Sequence, residues 1–486
     1  MKDIAVCIMS TLLTGGTRRH YMEMTKVYSY RCTVLLVEYL LHLVKISWWK
    51  HGKLIEQEVL VGEDSWKFLA GYMSDNNIKL IHLHHVLWIN DELRQLLLKN
   101  KYLLAITLHD YYTICPRTYM AFNNRYCGEE KSEEKCNKCL AVKDRNENIY
   151  FRQLLNEIKS MKYNSAIASW RHYFGELLTK ANYIFVPSND EKQRLLKYHP
   201  ALRIRVVQNP EMILPNWMKQ NQSIGINLKK KPERIHNNIV HIGILGSIFE
   251  IKGRSLLLAI SRLAEKKQLK IRFVIFGTLA SVPRKLPTNL TIMGSYQEKM
   301  VYQEIYKEKI DFFWFTGSIP ETYSYVLTIP IRLGIPTIAA DIGAIGERIK
   351  NGRWGTTYPV NATCEEVLQA LQEFDFEQYK KIGDFTIKND YFLSFKEMYG
   401  DIGLPNENER NENINFKNET EKFIAIDVKK CGQLKSLQPM ELKILWKHIN
   451  NIEMKYQILK AVDKKILIFK LREKFTKIIF KMEKSC

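Results

Sequence analysis

The chain has 486 residues, 46% of them hydrophobic and 11% aromatic, with a formal net charge of +21. That length and apolar content give two or three domains with sizeable cores and exclude an intrinsically disordered protein. The charge favours anionic partners such as phosphorylated substrates or an anionic membrane face. Its lysines are spread along the whole chain rather than gathered with aromatics into a stripe, which argues against nucleic acid.

The apolar start is too short for a secretory leader and runs into Gly15-Gly16. No run of about 18 uncharged apolar residues exists to span a bilayer. The expectation is a cytoplasmic protein, peripheral at the inner face of the membrane if its tail binds lipid. Residues 4–10 predict a strand, Gly15-Gly16-Thr17 a turn and 18–28 a helix. The apolar stretch 33–43 carries Glu38 and reads as buried strand or helix. Strands follow at 79–84, 103–108, 183–187 and 203–208, with helices at 91–99 and 189–198. Strands alternating with helices predict a parallel sheet covered on both faces.

Residues 210–238 are polar and Lys-rich, with Pro210 and Pro215 near their start, and read as an interdomain linker. A second α/β series begins with a strand at 239–245 ending in Gly246 and a helix at 254–266. Strands follow at 271–276, ending in Gly277, and at 290–293, 312–315 and 336–340. Helices fall between them, including one after Glu321. The predicted fold class is α/β, with two doubly wound Rossmann-like domains, 1–209 and 239–400, facing a cleft. Ligands in such sheets bind outside the carboxyl ends of the strands. The remainder, 405–486, reads as a polar linker and a helical tail. There Leu467, Leu471, Phe475, Ile478 and Met482 recur at helical spacing among lysines. Such a basic amphipathic helix packs on protein or on an anionic membrane surface.

Several residues are of types suited to chemistry. Glu321 precedes a predicted helix start at Ser324 and Tyr325, where unpaired backbone N–H groups and a positive dipole end suit a phosphate. Its carboxylate can accept from sugar hydroxyls. Lys252, in the loop after Gly246, can neutralise a diphosphate, although the chain has many surface lysines. Gly15-Gly16 lets the backbone approach a ligand closely, or makes a plain tight turn. His109, at a strand's carboxyl end, is placed on the ligand side or is structural. His82 and His84 share one strand face beside His85, and structural or lining roles outweigh a metal there. Cys115, Cys127, Cys136 and Cys139 cluster in a polar insertion at 113–140. The Cys136–Cys139 gap suits a structural zinc; reduced thiols or one disulfide is the alternative.

Taken in order, Gly15-Gly16-Thr17, Leu108-His109-Asp110-Tyr111-Tyr112, Cys115-Pro116-Arg117, Val186-Pro187-Ser188, Gly246 with Lys252-Gly253, Pro320 to Leu327 and Asp341 to Arg348 resemble the family-4 glycosyltransferases, retaining enzymes of the GT-B fold. The resemblance covers roughly residues 3–375. It implies that Glu321 holds the donor sugar and His109 contacts it. It also implies that Gly246, Ser247, Lys252, Gly277, Tyr323, Ser324 and Tyr325 hold the nucleotide diphosphate, and that Gly15, Gly16 and Thr17 line the cleft. The implied reaction is front-side hexosyl or deoxyhexosyl transfer to a glycan or lipid-linked acceptor in surface polysaccharide synthesis, with no cofactor required. Two departures stand out. Ser247 replaces an arginine, and Ile329 replaces a second glutamate that would hold the ribose. An apolar residue there suits a deoxyribose donor such as a dTDP-sugar. The rival reading is a catalytically degenerate GT-B protein that binds a nucleotide sugar or a glycan-assembly partner. A sugar-nucleotide dehydrogenase or epimerase is disfavoured because the first loop lacks G-x-G-x-x-G.

Overall fold

A computed structural model describes residues 5–400, apart chiefly from 143–164, 212–238, 380–390 and several gaps of one to three positions, together with 427–430. Contacts divide it into two units. One joins Met1–Thr107, Lys180–Tyr183 and Met398–Cys486; the other joins Leu108–Thr179 and Ile184–Glu397. The predicted linker beyond 211, the polar stretch 405–421 and the basic helix 467–482 lie outside the described residues. Among the described residues no helix is long and apolar enough to cross a membrane.

In the first unit β1 (Ala5–Thr11) lies between β2 (Thr33–Leu40) and β5 (Ile78–Leu83), parallel to both. Strand β6 (Leu103–Thr107) extends the parallel run beyond β5. Four residues past the end of β1 stands Gly15, with φ 102°. It precedes the helix Gly16–Tyr28 and accepts from the backbone N–H of Arg19 at 3.1 Å.

The expectation of a purely parallel sheet is corrected here. From β2 the sheet turns antiparallel through β3 (Leu43–Lys50) and β4 (Lys53–Val61). Strands β3 and β4 are joined by the two-residue loop His51-Gly52, in which both residues take positive φ, 50° and 72°. Such loops match the twist of paired strands and close hairpins. Strand β17 (Asp427–Lys430) then adds to β4 in parallel, Asp427 opposite Glu58.

One buried acid fastens the first helix to this sheet. Glu38 of β2 is 1% exposed and pairs with Lys45 of β3 at 3.2 Å. It also accepts from Tyr21 Oη at 2.8 Å and from Arg18 Nε at 3.2 Å, both on the helix. Burial alone would raise its pKa; Lys45, Arg18 and the Tyr21 hydrogen bond outweigh it and hold the carboxyl below its ordinary value. The histidines at the end of β5 and just beyond it are likewise internal. His82 bonds Thr107 Oγ1 at 2.7 Å and the Tyr399 hydroxyl, and its ring lies 4.2 Å from that of His84. His20 adds a third buried ring 5.3 Å from His84, its pKa pushed down to about 3 by burial and then by His82.

The second unit holds six parallel strands in the order β13-β12-β11-β14-β15-β16. They are β11 (Val240–Ile248), β12 (Ile271–Leu279), β13 (Leu290–Gly294), β14 (Phe312–Phe315), β15 (Thr337–Ala340) and β16 (Gly355–Tyr358). Numbered from β11, this is the 3-2-1-4-5-6 order of a doubly wound sheet. Alternate side chains build its two faces. Ile242, Phe273, Phe312 and Ile338 pack with Leu257, Ile260 and Leu368 from the helices Arg254–Lys266 and Cys364–Glu373. Val274, Phe276 and Phe313 pack with Val301, Tyr302 and Ile305 from the helix Glu298–Lys307. The α/β, doubly wound expectation is therefore met in this sheet.

One local expectation is corrected. Strands β11 and β12 do not stop at Gly246 and Gly277 but run two residues further. The two glycines are register partners, and a Cβ on Gly277 would lie 1.9 Å from the Gly246 carbonyl oxygen. The helix after Glu321 is short: a 3-10 turn Tyr325–Leu327 leads into the five-residue helix Thr328–Arg332.

Replacing Glu38 tests the first unit. A depressed folded pKa gives stability that is present above the unfolded value of about 4.3 and lost as pH falls through the lower folded value. Glu38→Gln is expected to cost ~3 kcal/mol at neutral pH by denaturant unfolding. The gap to the unmodified protein should close as the buffer is taken below pH ~4.

Candidate functional site

The switch point of the second sheet lies between β11 and β14, from which neighbouring strands depart in opposite directions. Loops after those two strands carry Lys252 and Glu321. Lys252 ends a 3-10 turn, Glu250–Lys252, whose backbone folds back on Phe249. Gly253 follows at φ 84°, and a Cβ there would lie 2.1 Å from the Thr316 carbonyl oxygen, so only glycine fits. Thr316 Oγ1 donates to the Lys252 carbonyl at 2.5 Å, tying the two loops together at their bases. Their side chains then meet: Lys252 Nζ lies 3.3 Å from Glu321 Oε1. The Glu321 charge raises the Lys252 pKa, against the opposing effect of burial, so the ammonium stays charged at neutral pH.

A second set of bonds fixes the Glu321 loop from behind. Gly343, at φ 64°, approaches so closely that a Cβ would lie 2.7 Å from the Glu321 nitrogen. The next N–H, of Ala344, donates to the Glu321 carbonyl at 2.7 Å. Ser324 takes positive φ, 70°, and its carbonyl accepts from Arg348 at 2.8 Å. Arg348 also donates to the Tyr323 carbonyl at 3.2 Å, and its guanidinium lies 4.2 Å from the Tyr323 ring centroid. Beneath them sits Glu211, a buried carboxylate that accepts from Tyr323 Oη at 2.6 Å, from Thr328 Oγ1 and from Arg348 at 3.3 Å. Arg332 lies 3.6 Å from its other oxygen. Glu211 falls inside the predicted linker, and sequence analysis assigned it no role. An acid directly after Asn209-Pro210 at the end of a folded stretch was the only hint.

His109 is brought to the same loop. Its backbone carbonyl accepts from Thr322 Oγ1 at 2.7 Å, one residue from Glu321. Tyr119 lies within electrostatic range of both Lys252 and Glu321 and was not singled out from sequence. Gly246, Gly277 and Ser247 sit at the ends of β11 and β12, where Thr278 Oγ1 donates to Ser247 Oγ at 3.1 Å. Tyr325 rests edge-on against Tyr323 at 5.0 Å. The Tyr323 hydroxyl points into the buried Glu211 cluster. Ile329, in the place of the second glutamate, is 6% exposed and packs with Val274, Phe276 and Val301. Its apolar character thus has a packing reason. Gly15, Gly16 and Thr17 belong to the other unit, and Cys115, Cys127, Cys136 and Cys139 line a separate cavity.

The arrangement offers one fixed cation and one fixed carboxylate at the carboxyl ends of the strands flanking a switch point. A phosphate suits the first and a polyol the second. No protein-family model and no curated protein matches the chain. Among solved structures it is similar to sucrose-phosphate synthase from Thermosynechococcus elongatus, with 13% identity, a TM-score of 0.49, and coverage of 82% of this chain and 97% of that one. The Anabaena protein Alr3699/HepE in complex with UDP gives 10%, 0.49, 82% and 99%. A glycosyltransferase from Rickettsia africae gives 14%, 0.47, 83% and 99%. All three TM-scores fall below one half.

Gly343→Ala tests whether the rear contact sets the Glu321 position. The added methyl meets backbone and the left-handed φ disfavours it, so a stability loss of about 1–2 kcal/mol is expected. Far-ultraviolet dichroism should be unchanged. Any ligand affinity that depends on Glu321 should fall by more than the stability loss explains.

Proposed function

We propose that this protein is a retaining glycosyltransferase. It would move a hexosyl or deoxyhexosyl group from a nucleotide-diphosphate sugar to a glycan or lipid-linked acceptor, in surface polysaccharide synthesis. The observation that carries the reading is the Lys252–Glu321 pair, 3.3 Å apart in the two loops beside the switch point. The order of family-4 motifs along the chain supports the same reading, in which 1–209 and 239–400 would be the two domains.

In this reading Lys252 holds the diphosphate and Glu321 accepts hydrogen bonds from the donor sugar's hydroxyls. A ligand would enter by splitting the pair. Its phosphate replaces the carboxylate as the partner of Lys252, and its hydroxyls replace the ammonium as the partners of Glu321. His109 would approach the sugar from the neighbouring loop. The sugar–phosphate bond then breaks while the acceptor oxygen bonds the same face of the anomeric carbon, and the leaving phosphate takes the acceptor's proton. Fixed charges and positioning supply the rate enhancement in such a scheme. Buried Ile329 in place of a second carboxylate favours one alternative, a protein of the same architecture that binds a nucleotide sugar without turning it over.

A thermal-shift screen of the full chain against UDP-, ADP-, GDP- and dTDP-sugars tests binding, since stabilisation grows with ligand concentration over affinity. A hit is then assayed for transfer. Glu321→Ala is expected to lower turnover by about 10²–10³-fold with the fold intact. Lys252→Ala should mainly weaken binding of the diphosphate. Tight donor binding without turnover in the unmodified chain would favour the alternative, and near-normal turnover in Glu321→Ala would refute the site.

A further inference from the structure

Cys115, Cys127, Cys136 and Cys139 line one cavity of about 920 Å³, and none of them is disulfide-bonded. They arrive from three short pieces of chain. Cys115 closes a turn by donating its N–H to the Tyr111 carbonyl at 2.8 Å. Cys127 follows the small hairpin of β7 (Ala121–Phe122) and β8 (Arg125–Tyr126), its N–H bonded to the Met120 carbonyl at 2.9 Å. Cys136 and Cys139 lie three apart on the helix Glu133–Ala141, and therefore on one face of it. The insertion brings few buried apolar side chains of its own, chiefly Ile114, Met120 and Leu140. Modules this small generally need a cross-link to hold their shape.

Charge around the cavity points to what that link is. Arg117 Nε donates to Cys139 Sγ at 3.1 Å, and its Nη2 donates to the carbonyls of Cys139 and Val142 at 2.6 and 2.7 Å. Arg171 donates to Cys136 Sγ at 3.6 Å and to the Ile114 carbonyl at 3.2 Å. Each sulfur of the Cys136–Cys139 pair thus faces a guanidinium; burial raises the Cys136 pKa, and Arg171 offsets that only in part. Cys115 lies within electrostatic range of the other three, and burial pushes its thiol up to about 12. No three of the four sulfurs lie within 4.8 Å of one another, so rotation of the cysteine side chains is needed to complete a ligand set.

We propose that Cys115, Cys127, Cys136 and Cys139 form a structural tetrathiolate site for one divalent ion of the zinc class. Four thiolates on a divalent ion carry a net double negative charge, and Arg117 and Arg171 offset it as outer partners. Ion entry releases the thiol protons to solvent, so occupancy falls as pH falls. The site rests on residues apart from Lys252 and Glu321 and stands or falls independently of the proposed function.

The test uses the full chain purified from zinc-supplemented culture. Elemental analysis should find about one zinc per chain. Exchange with cobalt should give sulfur-to-cobalt charge-transfer bands and tetrahedral ligand-field bands. Cys136→Ser and Cys139→Ser should each abolish those bands, while Cys364→Ser, on a helix of the parallel sheet, should keep them. If the serine variants fail to fold, the cobalt spectrum of the unmodified chain still decides. Far less than one ion per folded chain with no cobalt bands would overturn the site. So would a native mass two hydrogens lighter, showing a disulfide among these cysteines.

Discussion

The topological switch of the second sheet is the constraint on which the candidate site depends. Because β11 and β14 are adjacent while their neighbours run off in opposite directions, the loops that follow them cannot be covered by a crossover helix. Lys252 and Glu321 stand in those two loops. Their side chains are 37% and 22% exposed, and an ion pair in that setting contributes only about 0–1 kcal/mol to stability. It is therefore cheap to separate. What surrounds it is stiff: Gly253 pressed against Thr316, Gly343 pressed against Glu321, and Arg348 clamped to the carbonyls of Tyr323 and Ser324. A soft pair on a rigid frame keeps its groups preorganised without locking them to each other.

Glu211 shows how that frame is held. Buried beside two arginines, a tyrosine and a threonine, it resembles the hub of a satisfied network rather than a ligand contact. Losing one partner from such a network costs far more than losing the Lys252–Glu321 contact. The second glutamate expected at position 329 is absent because that position belongs to the apolar cluster beneath the sheet. The two acids thus divide the work: Glu321 faces solvent, and Glu211 shapes the backbone that presents it.

Much of this was legible in the chain. The helix Arg254–Lys266 and the strand Phe312–Phe315 coincide with the predicted spans because an amphipathic period and an aromatic run state them locally. Lys252 and Glu321 were recognisable from their place after apolar strands. The β3–β4 hairpin was missed, although His51-Gly52 is a turn signal, because Lys45, Lys50 and Lys53 mask the strand pattern on either side. The Glu211 cluster was missed for another reason. Its partners stand 112 to 137 residues further along the chain, and no local pattern links them. The turn at Ser324 that opens the helix after Glu321 is held by Arg348, also remote in sequence.

Strand β17 has a consequence for the distal end of the chain. By adding to β4 it occupies hydrogen-bonding groups at the margin of the first sheet that a foreign strand would otherwise find open. The four residues Asp427–Lys430 thereby act as a selvedge. A polypeptide cut before them would present a bare border, inviting self-association through backbone pairing.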